Sequence, residues 1–434
     1  MRIKGTATAV FFLLSATFML AQSTTSPAPA AAVAMQSNNW VDAYTGHRIF
    51  KLTAEDNSKG LYFNENAFTP NGTQMIYLVR NITGEQGIYV VDLSTLKSRQ
   101  LVPAPTNTLI VARKSPIVYF TMPNDTTLYA VGVDTGIISK IATLPGRADT
   151  ISSLNADETL IAGVYPEFDL PKHTLDPATR PISIKGTMMD ARFADKVPMD
   201  IYTLNIKTRQ VKSILYSKDW LNHVQFSPTD PTLLMYCHEG PWQKVDRIWT
   251  IRADGTDNKL IHKRTINGEI AGHEFWDADG VTIWYDLQIP KGQNFYLASY
   301  NTQTKARKWY AVDRDAWSIH YNAASDDSIF CGDGGDYAQV AKSKNGMWIE
   351  LFSPRETPVP DEIDQTGLVQ TGFLKPVHLV SMAKHNYLLE PNVRFSPDHK
   401  LVLFTSNMLG PSYIFAVEVA KAPAPPAPAA AGGQ

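Results

Sequence analysis

The sequence has few cysteines for its length. Only 2 of its 434 residues are cysteine, Cys237 and Cys331, and both stand in apolar, strand-like runs. We expect two buried free thiols, although a disulfide stays open because sequence does not establish that two sulfurs are close. A cysteine nucleophile is unpromising for the same reason, since thiols in a strand core are poorly placed for reaction.

The sequence also lacks an excess of charge of either sign. Lysine and arginine number 40 against 42 aspartates and glutamates, which leaves a formal net charge of -2. This balance excludes the basic footprint of a nucleic-acid-binding protein. An anionic ligand must therefore be held by a local cluster of cations and not by the field of the whole chain.

Several catalytic signatures are missing. The sequence contains no GxSxG elbow, no HExxH, no P-loop and no GxGxxG after a strand. The stretch GHEFWDADG at residues 272–280 holds a histidine and a glutamate, but no second histidine follows four residues later. Partners for His273 are therefore expected from elsewhere in the chain.

Long apolar runs are confined to the N-terminus. Arg2 and Lys4 precede an apolar run over residues 7–20, and Ala21 is a plausible cleavage position. This pattern predicts a signal peptide over residues 1–21 and a periplasmic or secreted protein with no membrane segment after cleavage. The alternative, a retained membrane anchor, lacks a stop-transfer pattern. Residues 22–38 are expected to form a disordered linker, and residues 420–434 a disordered tail rich in proline and alanine.

Short alternating apolar runs fill residues 39–419. β-branched and aromatic residues dominate these runs, turn dipeptides such as NG, DG and PD separate them, and no long segment has a helical period. The pattern predicts an all-β domain over this range.

One sequence unit recurs in this domain. An aromatic residue, a small polar residue, Pro or Ala, and Asp or Asn precede an apolar strand, as in FTPNGTQMIYLV from Phe68 and FSPDHKLVLFTS from Phe395. A second hairpin follows each copy and completes a four-stranded antiparallel meander. Seven such units fit at intervals of roughly 40 to 70 residues, which predicts a seven-bladed β-propeller, with six or eight blades still open. HRIFKLT at residues 47–53 is expected to complete the last blade.

Polar residues recur just before the aromatic residue of this unit. His223, His273 and Asn392 each stand three residues before it, and His320 lies in the corresponding stretch of SIHYNAASDD. The first strand of a propeller blade lines the central channel, so we expect these side chains at the channel mouth. A purely hydrogen-bonded, channel-lining role stays open for His223.

Two more candidates lie between these histidines. Arg247, in KVDRIW, is either an ordinary outward residue or a paired cation aimed at an anion, and His238, in CHEGPW, ends a strand before a turn. Histidine, asparagine and carboxylate groups around a pore suit a single divalent metal ion, with a free histidine as base.

Three stretches, in this order, resemble the oligogalacturonate lyases: CHEGPW with DRIW at 237–249, GHEFWDADG at 272–280 and HYNAASDDSIFCGDGGD at 320–336. The resemblance covers most of residues 40–418. It implies a seven-bladed propeller that cleaves short pectin-derived oligogalacturonides by β-elimination. It also implies that His273 is the base, that Arg247 helps to neutralise the substrate carboxylate, and that His320 binds manganese or a similar divalent ion.

The sequence departs from this family at the other metal ligands, a Q-x-x-H-x-H pattern before the last turn. Here Tyr387 stands at the glutamine position, and Glu390 and Asn392 stand at the histidine positions. Their oxygens suit a harder ion such as Mn, Mg or Ca, with His385 close enough in sequence to assist. Loss of the metal, or a different substrate, stays open.

The implied reaction removes the proton at C5 of a uronate. A divalent cation and an arginine stabilise the developing charge on the carboxylate, and a neutral histidine takes the proton. In such a site we expect His223, His238 and Trp242 to contact the oligosaccharide, the last by stacking on a sugar face.

Two other classes compete with a lyase. A non-catalytic periplasmic propeller of the Tol-translocation type, which binds a protein partner, fits the repeats equally well but does not explain the channel histidines. A prolyl-peptidase-like hydrolase would need a following α/β domain with a serine elbow, and the sequence ends about 15 residues after its last predicted strand.

Overall fold

The computed structural model describes residues 38–81, 86–146, 148, 150–168, 183–337, 345–360, 364 and 366–423. The predicted signal peptide, all but the last residue of the predicted linker and most of the predicted tail lie outside these residues. Cys237 and Cys331 are both buried free thiols, as expected. Within the described ranges, no helix has the length and apolarity that a bilayer crossing needs.

The described chain is dominated by β-strands, as the alternating pattern predicts. In chain order the strands are β1 (Asn39–Val41), β2 (His47–Lys51), β3 (Ser58–Lys59), β4 (Gln74–Arg80), β5 (Gln86–Asp92), β6 (Ser98–Val102), β7 (Leu109–Val111), β8 (Ile117–Phe120), β9 (Thr127–Gly132), β10 (Ile138–Thr143), β11 (Ser153–Leu154), β12 (Leu160–Pro166), β13 (Met199–Asn205), β14 (Val211–Ser217), β15 (Trp220–Phe226), β16 (Leu233–Glu239), β17 (Ile248–Arg252), β18 (Lys259–Leu260), β19 (Ile270–Trp276), β20 (Thr282–Gln288), β21 (Phe295–Asn301), β22 (Arg307–Val312), β23 (Tyr321–Ala323), β24 (Phe330–Gly332), β25 (Trp348–Glu356), β26 (Val369–Ser381), β27 (Arg394–Phe395), β28 (Leu401–Ser406) and β29 (Tyr413–Lys421).

Among the described residues these strands form six sheets. Four sheets are four-stranded meanders, namely β3–β6, β7–β10, β11–β14 and β15–β18. The fifth sheet has eight strands, because the parallel pair β22–β26 joins the meanders β19–β22 and β23–β26. The last sheet, β1-β2-β29-β28-β27, contains strands from both ends of the described chain. The pairing of β2 with β29 confirms that HRIFKLT completes the last sheet.

The recurring sequence unit forms a self-bonded turn between the first two strands of a meander. In FSPD, the Ser396 hydroxyl donates to Asp398 Oδ1 at 2.7 Å and accepts from the Leu401 amide at 3.0 Å. In FTPN, the Thr69 hydroxyl donates to Asn71 Oδ1 at 2.8 Å and accepts from the Gln74 amide at 3.2 Å. Short polar side chains satisfy the turn backbone locally, which explains why the unit recurs.

Both faces of the central strands are buried. In β16, Leu234 and Tyr236 pack with Ile201 of β13, whereas Met235 between them packs with Tyr285 of β20. Successive side chains of a strand point to opposite faces, so each sheet is covered by a neighbour on either side.

One helix, α1 (Ser183–Asp195), lies between β12 and β13 and was not predicted. The expectation of strands alone was wrong for this segment, because the helical period of its apolar residues is weak. The helix packs beside β15 and the turn after β16: the Arg192 guanidinium lies 4.5 Å from the centroid of the Trp220 ring, and Asp190 pairs with Lys244 at 2.6 Å.

Candidate active site

Two of the predicted histidines project from β-bulges at equivalent positions. Pairing with the neighbouring strand shifts between Asn222 and Gln225 in β15, and between Gly272 and Phe275 in β19. His223 and His273 lie in these bulges with φ of 48° and 47°. Such backbone costs roughly 1–3 kcal/mol per residue and persists where the surroundings impose it, often at functional sites.

Asn392 repeats this conformation before β27, with φ of 54°. The position three residues before the aromatic residue therefore has a positive φ in all three sequence units. A bulge turns the side chain out of the regular alternation of the strand, which directs it away from the inter-sheet core.

His273 is held by a buried aspartate of the next strand. Its Nδ1 lies 3.0 Å from Asp286 Oδ1, and Asp286 is only 1% exposed. An Nδ1–H that donates to the carboxylate leaves the lone pair on Nε2. No described residue forms a hydrogen bond with that Nε2 atom. This arrangement is that of an oriented general base.

His320 forms a second pair of the same kind. Its Nδ1 lies 2.7 Å from Asp333 Oδ2, and Asp333 also accepts the backbone amides of Ile319 and His320 through Oδ1. The His320 Nε2 atom is buried and has no hydrogen-bond partner among the described residues. A buried imidazole whose other nitrogen is fixed by a carboxylate is typical of a metal ligand.

The two histidines are adjacent and walled by aromatic rings. Their ring centroids lie 4.9 Å apart with an interplanar angle of 77°. Phe63 stacks on His320 at 4.7 Å, and Trp242 meets His273 edge-on at 5.1 Å. Tyr62 lies edge-on to His320 at 5.3 Å. Base and candidate metal ligand therefore share one small, partly apolar compartment.

Arg247 is buried beneath this compartment. It is 3% exposed, its Nε donates to Glu274 Oε2 at 2.9 Å, and its Nη1 donates to Glu239 Oε1 at 2.6 Å. His223 extends the network, with Nε2 3.3 Å from Glu239 Oε2. Although burial opposes it, the Arg247 guanidinium together with His223 holds the pKa of Glu239 well below its usual range. Two internal carboxylates, those of Glu239 and Glu274, therefore pair with this arginine.

Asn392 links the His320 pair to the segment that carries Glu390. Its Oδ1 accepts the Phe63 amide at 3.2 Å, its Nδ2 donates to the Glu390 carbonyl at 3.0 Å, and its own amide donates to Asp333 Oδ2 at 3.2 Å. The Glu390 Oε2 atom lies 3.9 Å from His320 Nε2. The Glu390 carboxylate therefore lies near the unpartnered nitrogen, and the Asn392 side chain bonds to the Phe63 amide and the Glu390 carbonyl.

Arg394 fixes the loop that carries the aromatic wall. Its guanidinium donates to the carbonyls of Glu65 at 2.6 Å and Tyr62 at 2.7 Å, and also to the carbonyl of Leu61. Burial lowers the pKa of Arg394 to about 10, which still leaves it protonated at neutral pH. Three carbonyls held by one cation define the loop conformation.

Two predicted residues lie apart from this cluster. His238 has its Nδ1 3.5 Å from Asp219 Oδ2 and stacks on Trp249, on the opposite face of β16 from Glu239. His385 uses both ring nitrogens, with Nδ1 3.0 Å from Ser406 Oγ and Nε2 2.8 Å from the Leu389 carbonyl. The other predicted residues are brought together: His223, Trp242, Arg247, His273, His320, Glu390 and Asn392.

Sequence reasoning missed the residues that orient the histidines and wall the compartment: Tyr62, Phe63, Glu239, Glu274, Asp286 and Asp333. Some signals were present. Asp286 interrupts the apolar run TIWYDL, and a glutamate follows the histidine in both CHEGPW and GHEFW. A carboxylate inside an apolar strand is costly unless it is paired, so it marks a buried partner.

Two groups of side chains offer metal-ligand atoms. The first is His223, Cys237 and Glu239, whose candidate atoms lie within 4.8 Å of one another. Arg247 already neutralises Glu239 there, and burial raises the pKa of the Cys237 thiol, so this group disfavours a second cation. The second group, His320, Glu390 and Asn392, offers an unpartnered imidazole nitrogen beside a carboxylate and fits a divalent ion better.

Comparisons with known proteins point to one family. A sequence model of the family described as oligogalacturonate lyase matches residues 28–423. The chain is 24% identical to the oligogalacturonide lyase of Pectobacterium atrosepticum and 23% identical to the oligogalacturonate lyase of Dickeya dadantii, over 88% of this chain and 96% of each relative.

Solved structures share the fold. An oligogalacturonate lyase in complex with manganese superposes with a TM-score of 0.71 at 21% identity, over 88% of this chain and 96% of that one. The oligogalacturonate lyase of Vibrio parahaemolyticus gives the same TM-score at 22% identity and the same coverage.

Proposed function

Because this chain belongs to the oligogalacturonate lyase family, we propose that it cleaves oligogalacturonides or related uronate oligomers by β-elimination, with His273 as the base. The observation that carries this proposal is the His273–Asp286 pair, which leaves an imidazole lone pair beside the unpartnered Nε2 of His320. A base next to a candidate cation site is what proton removal from a carbon beside a carboxylate requires.

The His273 Nε2 atom takes the C5 proton of the uronate. Asp286 holds the ring in the required tautomer and stabilises the imidazolium that forms. The electron pair left at C5 then forms the C4–C5 double bond, and the C4–O4 bond breaks. The product is a 4,5-unsaturated sugar.

His320 Nε2, a Glu390 carboxylate oxygen and Asn392 Oδ1 would hold the divalent ion in this proposal. Manganese is the first candidate, because a solved oligogalacturonate lyase of the same fold is a manganese complex. Two oxygen donors also suit magnesium or calcium. When bound, the ion supplies positive charge for the carboxylate whose negative charge grows as the C5 proton leaves.

The remaining candidate residues differ in how accessible their side chains are to a ligand. His223, with a side chain 27% exposed, and the partly exposed Trp242 are placed to contact the oligosaccharide. Arg247 positions Glu239 and Glu274 and does not meet the substrate. We leave His238 and His385 out of the site because their ring nitrogens face other partners.

The fold proposed for this function is a seven-bladed propeller. The parallel pair β22–β26 would join the outer strands of two blades, so that eight strands form one sheet and the remaining five sheets are single blades. A propeller offers a channel mouth at which bulges of several blades can meet. A periplasmic or secreted location follows from the predicted signal peptide.

The test is a lyase assay on saturated oligogalacturonides with and without Mn²⁺. Absorbance of the unsaturated product in the ultraviolet should rise with wild type, and His273→Ala should reduce kcat at least about 100-fold. His238→Ala is the matched control and should retain activity. Wild type that is inactive on every uronide, whatever the metal, would refute the lyase proposal and favour a partner-binding propeller.

A further inference from the structure

Proton removal is only half of an elimination. The O4 atom leaves with the electron pair of the C4–O4 bond, and a sugar alkoxide is a poor leaving group without a proton. We propose that the Tyr62 hydroxyl donates this proton, which makes Tyr62 the general acid that works opposite His273. The inference rests on the proposed lyase function.

Tyr62 lies between the histidines of the site. Its ring stacks on His223 at a centroid distance of 5.8 Å and an interplanar angle of 29°, and it meets His320 edge-on at 5.3 Å. The side chain is partly exposed, whereas the neighbouring Phe63 is 1% exposed. The Tyr62 ring therefore lines the site beside His223 and His320, and part of its side chain is open to a ligand.

The backbone of Tyr62 is held at both ends. Its amide donates to Glu65 Oε2 at 2.9 Å, and its carbonyl accepts from Arg394 at 2.7 Å. A side chain on a fixed backbone, with one ring face on His223, has little freedom to leave the site. Such preorganisation is what a general acid requires.

The availability of the Tyr62 proton follows from its hydrogen bonding. The hydroxyl forms no hydrogen bond with any described residue, so its proton is available to a ligand oxygen.

The hydroxyl groups of two neighbouring tyrosines already form hydrogen bonds with the backbone. The Tyr387 hydroxyl donates to the Asp333 carbonyl at 3.0 Å, and the Tyr321 hydroxyl accepts the Ser318 amide at 3.0 Å. Both side chains are less than 2% exposed. Both are therefore closed to a ligand, whereas the Tyr62 side chain is partly exposed.

The step balances without a further reactant. His273 gains the C5 proton, the C5 electron pair becomes the C4–C5 double bond, and O4 takes its electron pair and the Tyr62 proton. The imidazolium of His273 then returns its proton to the phenolate through water. Substrate atoms are divided between two products, and the enzyme is unchanged.

A substrate with a different leaving group distinguishes an acid role of Tyr62 from a purely structural one. Fluoride at C4 leaves without a proton, so a 4-deoxy-4-fluorogalacturonide tests the base alone, while an oligogalacturonide tests base and acid together. We expect Tyr62→Phe to lower kcat on the oligogalacturonide about 100-fold and to change fluoride release less than about threefold. Tyr216→Phe, at an exposed tyrosine, is the control and should act as wild type on both substrates.

Three results overturn the assignment. Equal losses on both substrates would mean that Tyr62 only shapes the site. An unchanged rate on the oligogalacturonide would remove Tyr62 from the reaction. A loss on the oligogalacturonide alone in His223→Gln, with Tyr62→Phe unaffected, would transfer the acid role to His223. Wild type that is inactive on both substrates would instead refute the proposed lyase function itself.

Discussion

Asp333 Oδ2 lies 2.7 Å from the Nδ1 atom of His320, and this contact determines which ring nitrogen is left for a ligand. The carboxylate also accepts three backbone amides, from Ile319, His320 and Asn392. Four donors on one buried carboxylate hold it in place and explain why His320 presents Nε2 and not Nδ1.

Replacing Asp333 with asparagine should weaken metal binding. An amide cannot accept all four donors, because its NH₂ group would face some of them. The loss of an orienting carboxylate typically lowers metal affinity about 10- to 100-fold. Titration of Mn²⁺ followed by electron paramagnetic resonance measures the affinity, with Asp326→Asn, on an exposed turn, as the control. Equal affinities in all three proteins would contradict the orienting role of Asp333.

The Asp286→Asn variant should lose activity with its metal affinity intact. An asparagine amide can donate to Nδ1, which moves the ring proton to Nε2 and removes the lone pair that acts as base. We expect kcat to fall about 10²- to 10⁴-fold in the oligogalacturonide assay. Asp254→Asn, at an exposed turn, should show normal kcat. A normal kcat in the Asp286→Asn variant would contradict the role of Asp286 in orienting His273.

Arg247→Met should destabilise the fold. It would leave Glu239 and Glu274, 7% and 1% exposed, without their shared cation. Removing one partner from a buried ionic network costs about 3–5 kcal/mol in free energy of unfolding. Urea unfolding measures this cost. The double variant Arg247→Met, Glu274→Gln should recover part of it, and an unchanged midpoint in the single variant would contradict the buried network.

His385 should make the fold sensitive to acid. The Leu389 carbonyl accepts from Nε2, while Nδ1 accepts from the Asn407 amide, so the ring is held neutral. Burial lowers the pKa of His385 from its ordinary value of 6.5. The unfolded chain therefore binds more protons than the folded one below pH 6.5, and the free energy of unfolding falls as the pH falls toward the folded-state pKa.

Urea unfolding at pH 7.5 and pH 5 measures this loss. His385→Gln cannot titrate, so its stability should change less between the two pH values than that of wild type. His399→Gln, at a partly exposed position on the turn between β27 and β28, should retain the wild-type difference. The same pH dependence in wild type and His385→Gln would assign the titration to other groups.

Several features were predictable because their causes are local. Alternation of apolar residues predicted strands, and Ser396 and Thr69 form the self-bonded turns that made the repeat visible. The spacing of His223, His273 and Asn392 from an aromatic residue predicted one shared position. The structure adds that this position has a positive φ in all three cases.

Sequence by itself determined the β-rich class, the repeat and the residue types of the candidate site, because periodicity and turn chemistry act over a few residues. Only the tertiary structure decided the partners. Asp286 and Asp333 reach their histidines through strand register, and Arg247 meets carboxylates from two different strands. His238 and His385 instead contact Asp219 and Ser406, the neighbours that their strand and turn face. Such pairings depend on how distant segments align, which no local pattern encodes.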